Sequence, residues 1–267
     1  MDRICVLLSC MYQDDYSIIR DSNISTDVIV INQCNIDNKE SFNFLSTAGK
    51  QCHVDFINTP QRGLSNSRNL AIASAKDADI CYICDDDELL VDNFEDIIST
   101  AYTQHPNADI ILFSLRRKNY TYPKHKLKVG IKQLLKTSSV QITFRRDSVI
   151  NNKIKFDPLM GSGSGNGGGE ENKFLMDCKR SHLNIIYLPE IIAEVKTENS
   201  QWFHGFDDKY YRNFAWANRR ILGDFLSIFY ILYWIIFRSG NYEQHLKTIE
   251  ILKSCFLGYF ENRIKKE

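Results

Sequence analysis

Four acids stand together at Asp85, Asp86, Asp87 and Glu88, directly behind the apolar run Ile80 to Cys84. Adjacent carboxylates repel one another and prefer water to the end of a buried segment, so something must compensate them. A hard divalent cation does so: Mg2+ and Mn2+ take oxygen ligands, commonly one or two carboxylates together with substrate phosphates. Helix capping competes as an explanation, but Asp92 with Glu95 three residues later already forms a capping box for a helix from Asn93. Arg68 is the second unusual residue. It falls in the first turn of a helix predicted from Ser65, where the macrodipole disfavours a cation by about 0.3–1 kcal/mol. A bound diphosphate would offset this, because helix N-termini and guanidinium forks both suit phosphate oxygens. A surface ion pair with a nearby acid is the plainer alternative.

A third feature is Glu170-Glu171, behind the stretch "GSGSGNGGG" in which six of the thirteen glycines fall within residues 161–169. The two acids either fill a helix's first turn, where negative charge is favoured, or are carried by a glycine-rich loop to an active-site mouth as a general base. Cys81-x-x-Cys84 has no second ligand pair, so it predicts buried strand thiols and not a zinc or redox centre.

The elements that must position these residues follow from the apolar pattern. Residues 4–8, 28–32, 54–58, 80–84 and 110–115 are nearly continuous Ile- and Val-rich runs, which suit strands covered on both faces. Helices are predicted over 16–22, 39–48, 65–76 and 93–104. Strand and helix alternation argues for an α/β fold with a mostly parallel central sheet, whose ligands bind at the carboxyl ends of the strands. The acids at 85–88 lie at such an end. Beyond residue 115 the rhythm changes to a basic stretch (116–136), a strand "SVQITF", the glycine-rich loop, a helix over 172–181 and a strand "NIIYLPEIIAEV". From Tyr210 the chain reads as helical and aromatic. Residues 225–237 are apolar but number fewer than the roughly 20 needed to cross a bilayer. Asp224 upstream weakens a span further, leaving an interfacial helix flanked by Arg219, Arg220 and Arg238 or a buried helix of a C-terminal cap.

At 267 residues, with 33 basic and 33 acidic side chains, the chain can bury a large core and has no net field to recruit nucleic acid or an anionic membrane, so any such contact must be local. Its eight cysteines lie mostly in apolar runs and read as reduced thiols, and its N-terminus has no signal-peptide pattern, which predicts a cytoplasmic protein.

The order "LLSCMYQDD", "VIVINQC", "RGLSNSRNLAIASA", "YICDDDELL", "GSGSGNGGGEENKFL" and "WFHGFDDKYY" resembles the family 2 glycosyltransferases. It is most similar to bacterial members that build capsular or other surface polysaccharides. The resemblance implies the GT-A fold over residues 1–200, a helical acceptor- or membrane-associated region over 201–267, and an inverting transfer from a nucleoside-diphosphate sugar, expected to be a UDP-sugar, to a growing lipid-linked glycan. It implies a divalent metal on Asp87 and Asp85, with Asp85 and Asp86 also facing the nucleotide sugar. His204 would complete the metal shell or would simply pack beside Trp202 and Phe203. Ser9, Cys10, Met11, Gln13, Gln33, Leu64 and Arg68 are the implied nucleotide-sugar contacts. Glu171 would be the base, with Glu170 orienting it or substituting for it. The chain departs from the family in carrying Asn32-Gln33 where many members have an Asp, and Glu171 where an Asp is usual. A metal-dependent nucleotidyltransferase and a non-catalytic binding protein of the same fold are the alternatives. The implied placement is the cytoplasmic side of the cell membrane, with peripheral contact through 221–238.

Overall fold

Ile- and Val-rich runs with no polar face must be covered on both sides, and here they form the centre of one mixed sheet. The computed structural model describes residues 2–118, 120–196, 205–238 and 246–262. In chain order the elements are β1 (Ile4–Met11), α1 (Ser17–Asp21), β2 (Asp27–Gln33), β3 (Asn38–Leu45), β4 (Gln51–Thr59), α2 (Leu64–Ser74), β5 (Ile80–Asp85), β6 (Glu88–Leu90), α3 (Phe94–Gln104), β7 (Ile110–Arg116) and β8 (Leu127–Lys128). They continue with α4 (Ile131–Leu134), β9 (Ile142–Arg145), α5 (Arg146–Asn151), α6 (Glu170–Arg180), β10 (Ile185–Val195), α7 (Asp208–Leu222), α8 (Asp224–Phe237) and α9 (Thr248–Phe260).

The strand order is β3-β4-β2-β1-β5-β9-β7-β10-β6, with β8 added to β10. β4, β2, β1 and β5 are parallel neighbours, as are β7 and β10. β9 runs antiparallel between β5 and β7, so six strands share one direction across the sheet. Alternation along β1 sends Cys5 and Leu7 to one face and Val6 and Leu8 to the other. The first face packs on α2, α6 and α7 through Ala71, Ile72, Phe174, Leu175 and Trp216. The second packs on α1 and α3 through Ile18, Ile19, Phe94 and Ile98. All eight cysteines are buried free thiols, and burial above all pushes those of Cys81 and Cys84 well up, as the reading of strand thiols requires.

Three local expectations change. The stretch 39–48 is no helix; up to Leu45 it belongs to the edge strand β3, where Phe42 and Phe44, two apart, pack on one face of the sheet, a period-2 pattern that a helix cannot satisfy. Lys39 Nζ and Ser41 Oγ donate to Asp55 on the neighbouring β4 at 2.7 and 2.6 Å. Asp92 does not cap α3; Asn93 holds the cap position without a side-chain bond, while Asp92 Oδ1 accepts from Asn23 Nδ2 at 2.9 Å. The expected strand over 139–144 begins as a 3-10 turn, Ser139–Gln141, and becomes extended only at β9.

The C-terminal helices have a core of their own. Tyr211 and Ala215 on α7 meet Ile231, Trp234 and Ile235 on α8 and Ile251, Cys255 and Tyr259 on α9. α7 also reaches the main core through Trp216, Ala217 and Ile221. Among the described residues no helix is long and apolar enough to cross a membrane. α7 and α9 approach closely at Gly258, where an added Cβ would fall 2.2 Å from the Arg212 carbonyl oxygen. Gly258→Ala should therefore part the two helices and cost about 1–3 kcal/mol, as overpacking does. Urea unfolding measures it, and an unchanged midpoint would show that the contact is not tight.

Candidate active site

The site is assembled where the carboxyl ends of β1, β2 and β5 meet the start of α2 and the glycine-rich loop. At its centre the Arg68 side chain is 1% exposed. Its Nη2 donates to both carboxylate oxygens of Asp85 at 2.9 Å, and its Nη1 donates to Glu170 Oε1 at 3.0 Å. The guanidinium lies 5.4 Å from the centre of the Phe156 ring, which stacks on Phe174. Burial opposes the charge on Arg68, but Asp85, Glu170 and Glu171 outweigh it and hold the group ionised. The helix-start cation is thus balanced by two carboxylates of the protein itself, the ion-pair alternative in a buried form. Asp85, expected at the metal and the nucleotide sugar, has both oxygens on Arg68 and also accepts from Ser139 Oγ at 3.0 Å.

The four neighbouring acids divide into two pairs. Glu88 is buried, accepts from the Asp85 backbone N–H at 2.9 Å, and has its carboxyl pushed well up by burial and then by the Asp85 charge. Asp85 and Glu88 therefore close the turn from inside. Asp86 and Asp87 occupy the two turn residues between β5 and β6, Asp86 exposed and Asp87 half-buried. Partial desolvation in the tight turn, then the charges of Asp85 and Asp87, raise the Asp86 carboxyl. The Asp86 charge also helps lift the Cys10 thiol at the end of β1, after burial, which sets the turn beside that strand end.

The other expected donor contacts fall into buried supports and surface groups. Ser9 is buried and accepts from Ser67 Oγ at 2.8 Å, joining β1 to α2. Cys10 is buried, Met11 is exposed, and Gln13 Nε2 donates to the Met11 carbonyl at 3.2 Å. Asn32, at the end of β2, clamps the turn: it accepts from Gln13 N–H at 3.0 Å and donates to the Gln13 carbonyl at 2.9 Å. Gln33 is buried and accepts from Gly63 N–H at 2.8 Å. Leu64 is half-buried and its N–H donates to the Ser162 carbonyl at 2.9 Å. His204, with Trp202 and Phe203, lies outside the described residues.

Two surface groups escaped the sequence reading. Tyr12 is exposed at the end of β1 in a left-handed conformation (φ 50°), and the Arg62 guanidinium sits 5.4 Å from its ring centre. Arg62 also donates to the carbonyls of Cys34 and Thr59 and to Asn35 Oδ1. The available signal was position: a basic residue immediately before the glycine that opens α2.

The glycine-rich loop brings the second carboxylate pair. Gly161, Gly163, Gly165, Gly167 and Gly169 all take φ between 78° and 103°, so the alternating glycines supply the left-handed turns that other residues resist. At Gly163 a side chain would also strike the Gly63 backbone at 3.1 Å. Ser65 Oγ donates to the Met160 carbonyl at 2.8 Å, docking the loop on α2. α6 starts at Glu170 at the end of this loop, and a cavity of about 790 Å3 is lined by the loop, Glu170, Glu171, Asp207, Lys209, Tyr210 and Asn213. Glu171 is half-buried. Burial and the adjacent Glu170 push its carboxyl up to about 8 against the pull of Arg68, which gives it the basicity of a proton acceptor near neutral pH. A second cavity of about 370 Å3 shares Gly167, Gly168, Gly169, Tyr210 and Asn213 and is otherwise lined by uncharged residues such as Leu135, Asn172, Phe214 and Tyr230.

Among the described residues no group of three or more His, Cys, Asp or Glu side chains is arranged to hold a metal. The Asp86-Asp87 turn fits a hard cation of another kind, one held by one or two carboxylates and completed by a ligand's phosphate oxygens. Such a cation would relieve the mutual repulsion of these adjacent carboxylates, which comes after desolvation among the causes that raise the Asp86 carboxyl.

No family model matches the chain, and no curated protein matches its sequence. Solved structures match its fold. Residues 1–349 of S. aureus TarS superpose with a TM-score of 0.62 at 15% identity, covering 97% of this chain and 81% of that one. The same protein in complex with UDP-GlcNAc gives 0.62 at 14% identity, with 96% and 81% covered. The mannosyltransferase PcManGT from Pyrobaculum calidifontis, in complex with GDP-Man and Mn2+, gives 0.56 at 11% identity, with 96% and 74% covered. At these identities the likeness establishes a GT-A-like α/β fold.

Removing Arg68 would leave Asp85 and Glu170 buried without their counter-charge. Arg68→Met should lower stability by about 3–5 kcal/mol, and Arg68→Lys should restore only part, because an ammonium cannot reach both carboxylates with a planar fork. Chemical denaturation reads both; a loss below about 1 kcal/mol for Arg68→Met would contradict a structural bridge.

Proposed function

We propose that this protein is an inverting glycosyltransferase that moves a sugar from a nucleoside-diphosphate sugar, a UDP-sugar by preference, to a lipid-linked surface glycan. The observation that carries the reading is the Arg68 bridge, which ties the acidic turn after β5 to the acidic start of α6 in one buried unit. The bridge holds two carboxylate sets at a fixed separation, as a metal-assisted leaving group and a general base acting on one bond require, and the structures of like fold bound to UDP-GlcNAc and GDP-Man supply the matching ligand class.

In this reading residues 1–200 bind the donor and residues 201–267 serve the acceptor side. Tyr12, Arg62, Met11 and Gln13 border the nucleotide, with Ser9, Cys10, Gln33 and Leu64 holding their backbone in place. Asp87, aided by Asp86, would hold Mn2+ or Mg2+, and Asp85 organises the turn through Arg68. When bound, the metal supplies positive charge to the departing diphosphate oxygens. Glu171 accepts the proton of the acceptor hydroxyl. The hydroxyl oxygen then bonds to the anomeric carbon as the bond to the diphosphate breaks on the opposite face, releasing the nucleoside diphosphate. Glu170, fixed by Arg68, keeps the Glu171 carboxyl basic by its charge. The uncharged second cavity, with Tyr210, Phe214 and Tyr230 beside the amides of Asn172 and Asn218, suits the sugar rings of a neutral acceptor.

Nucleoside-diphosphate release coupled to glycan extension tests the mechanism. Asp87→Ala, Glu171→Gln and addition of EDTA should each lower turnover, the Glu171 change by about 10^2–10^4-fold as for loss of a general base. Undiminished transfer in all three would refute it, and a new nucleotide sugar as product would indicate nucleotidyl transfer. Because Glu171 must be ionised to accept a proton and its carboxyl lies near 8, kcat/KM should rise with pH through about 8 and level off above it. A profile already flat from pH 6 upward would assign the base elsewhere.

A further inference from the structure

α8 and α9 turn large apolar side chains outward along their whole length. On α8, Phe225 is 82% exposed, Phe229 69% and Ile236 68%. On α9, Ile249 is 74% exposed and Phe256 64%, and its outward residues recur at 249, 252, 253, 256, 257 and 260, one face of a helix. The two faces meet. Tyr259 Oη donates to the Asp224 carbonyl at 2.6 Å, so the end of α9, with exposed Phe260, abuts the start of α8, with exposed Phe225. An apolar patch of this extent on a folded chain marks a contact surface, and the inward faces of both helices are already used in the core with α7.

We propose that this surface docks on an anionic lipid layer. Charge selects the occupant. Lys247, Lys253 and Arg238 are exposed on or beside the apolar faces, Lys253 within the outward row of α9, and the sequence continues with Arg263, Lys265 and Lys266. The acids beside these faces, Asp224, Glu250 and Glu261, are also exposed but fewer than these basic residues; Asp224 accepts from Arg219 Nε at 2.7 Å, and Glu250 accepts from Lys247 N–H at 2.7 Å. A basic rim around an aromatic face matches headgroup phosphates around an acyl boundary. A second copy fits less well, because a two-fold contact gives both sides of the interface the same excess of basic residues. Neither helix can span the layer, so the contact is in the plane of the interface. Tyr230, which shares a face of α8 with exposed Leu226 and Tyr233, also lines the uncharged second cavity. The docking surface therefore borders the cavity assigned above to the acceptor, although binding to lipid does not depend on sugar transfer.

Co-sedimentation of the full chain, without donor, is measured with phosphatidylcholine vesicles and with vesicles that also contain phosphatidylglycerol. Pelleting with the anionic vesicles that added salt weakens is the expected result. The double variant Phe229→Ser/Phe256→Ser should bind about tenfold more weakly or less, and Lys253→Glu several-fold more weakly. All three positions are exposed, and circular dichroism confirms that the variants fold. The proposal is overturned by failure of the wild-type chain to bind anionic vesicles, by equal binding to both lipids, or by equal binding of the variants. A wild-type dimer in sedimentation velocity that the double variant abolishes would assign the surface to a second copy instead. Vesicle binding by a Glu171→Gln chain separates this outcome from failure of the transfer reaction.

Discussion

A guanidinium sealed between two carboxylates organises this protein. Arg68 cannot lose its charge, and at 1% exposure it cannot hydrate it, so Asp85 and Glu170 must stay where their oxygens reach it. That requirement fixes the end of β5 against α2 and the start of α6 against both. The remaining acids take their characters from it. Glu88 is pressed into the turn beneath Asp85 and held toward its neutral form, Asp86 and Asp87 are left at the turn itself, and Glu171 is driven up by burial beside Glu170.

The sheet and the glycine-rich loop make the bridge geometrically feasible. Parallel pairing of β1, β2, β4 and β5 aligns their carboxyl ends, so short links from Ser9 to Ser67 and from Gln33 to Gly63 can seat α2 across them. The loop must then cross close above α2. Side chains would obstruct it, as at Gly163 over Gly63, and its repeated left-handed turns would strain any other residue. Glycine here serves approach and curvature more than mobility.

The C-terminal helices follow a different economy. α7 serves two cores, its Trp216 and Ile221 joining the sheet layer while Tyr211 and Ala215 gather α8 and α9. α8 and α9 turn one face toward α7, with Tyr230 of α8 also touching the sheet-layer core, and much of the rest of their apolar surface is left outward. The strong aromatic content of 225–237 thus has two destinations, one row in the core and the others outside it.

The sequence alone determined the central strands, the acidic turn at a strand end, the glycine-rich approach to Glu170-Glu171 and the reduced state of the cysteines, because each rests on neighbours within a few residues. Continuous apolar runs and glycine spacing are local signals and survive folding. The partners of Arg68 lie 17 and 102 residues away, and only the tertiary structure could show that they are carboxylates of the chain. The same applies to β3, whose Phe42 and Phe44 found their period only beside β4, and to Asp92, drawn from the α3 cap by Asn23 on a distant turn. Which of four adjacent acids is buried, which is bridged and which faces outward is set by the charges that folding brings near them, and no local pattern encodes that.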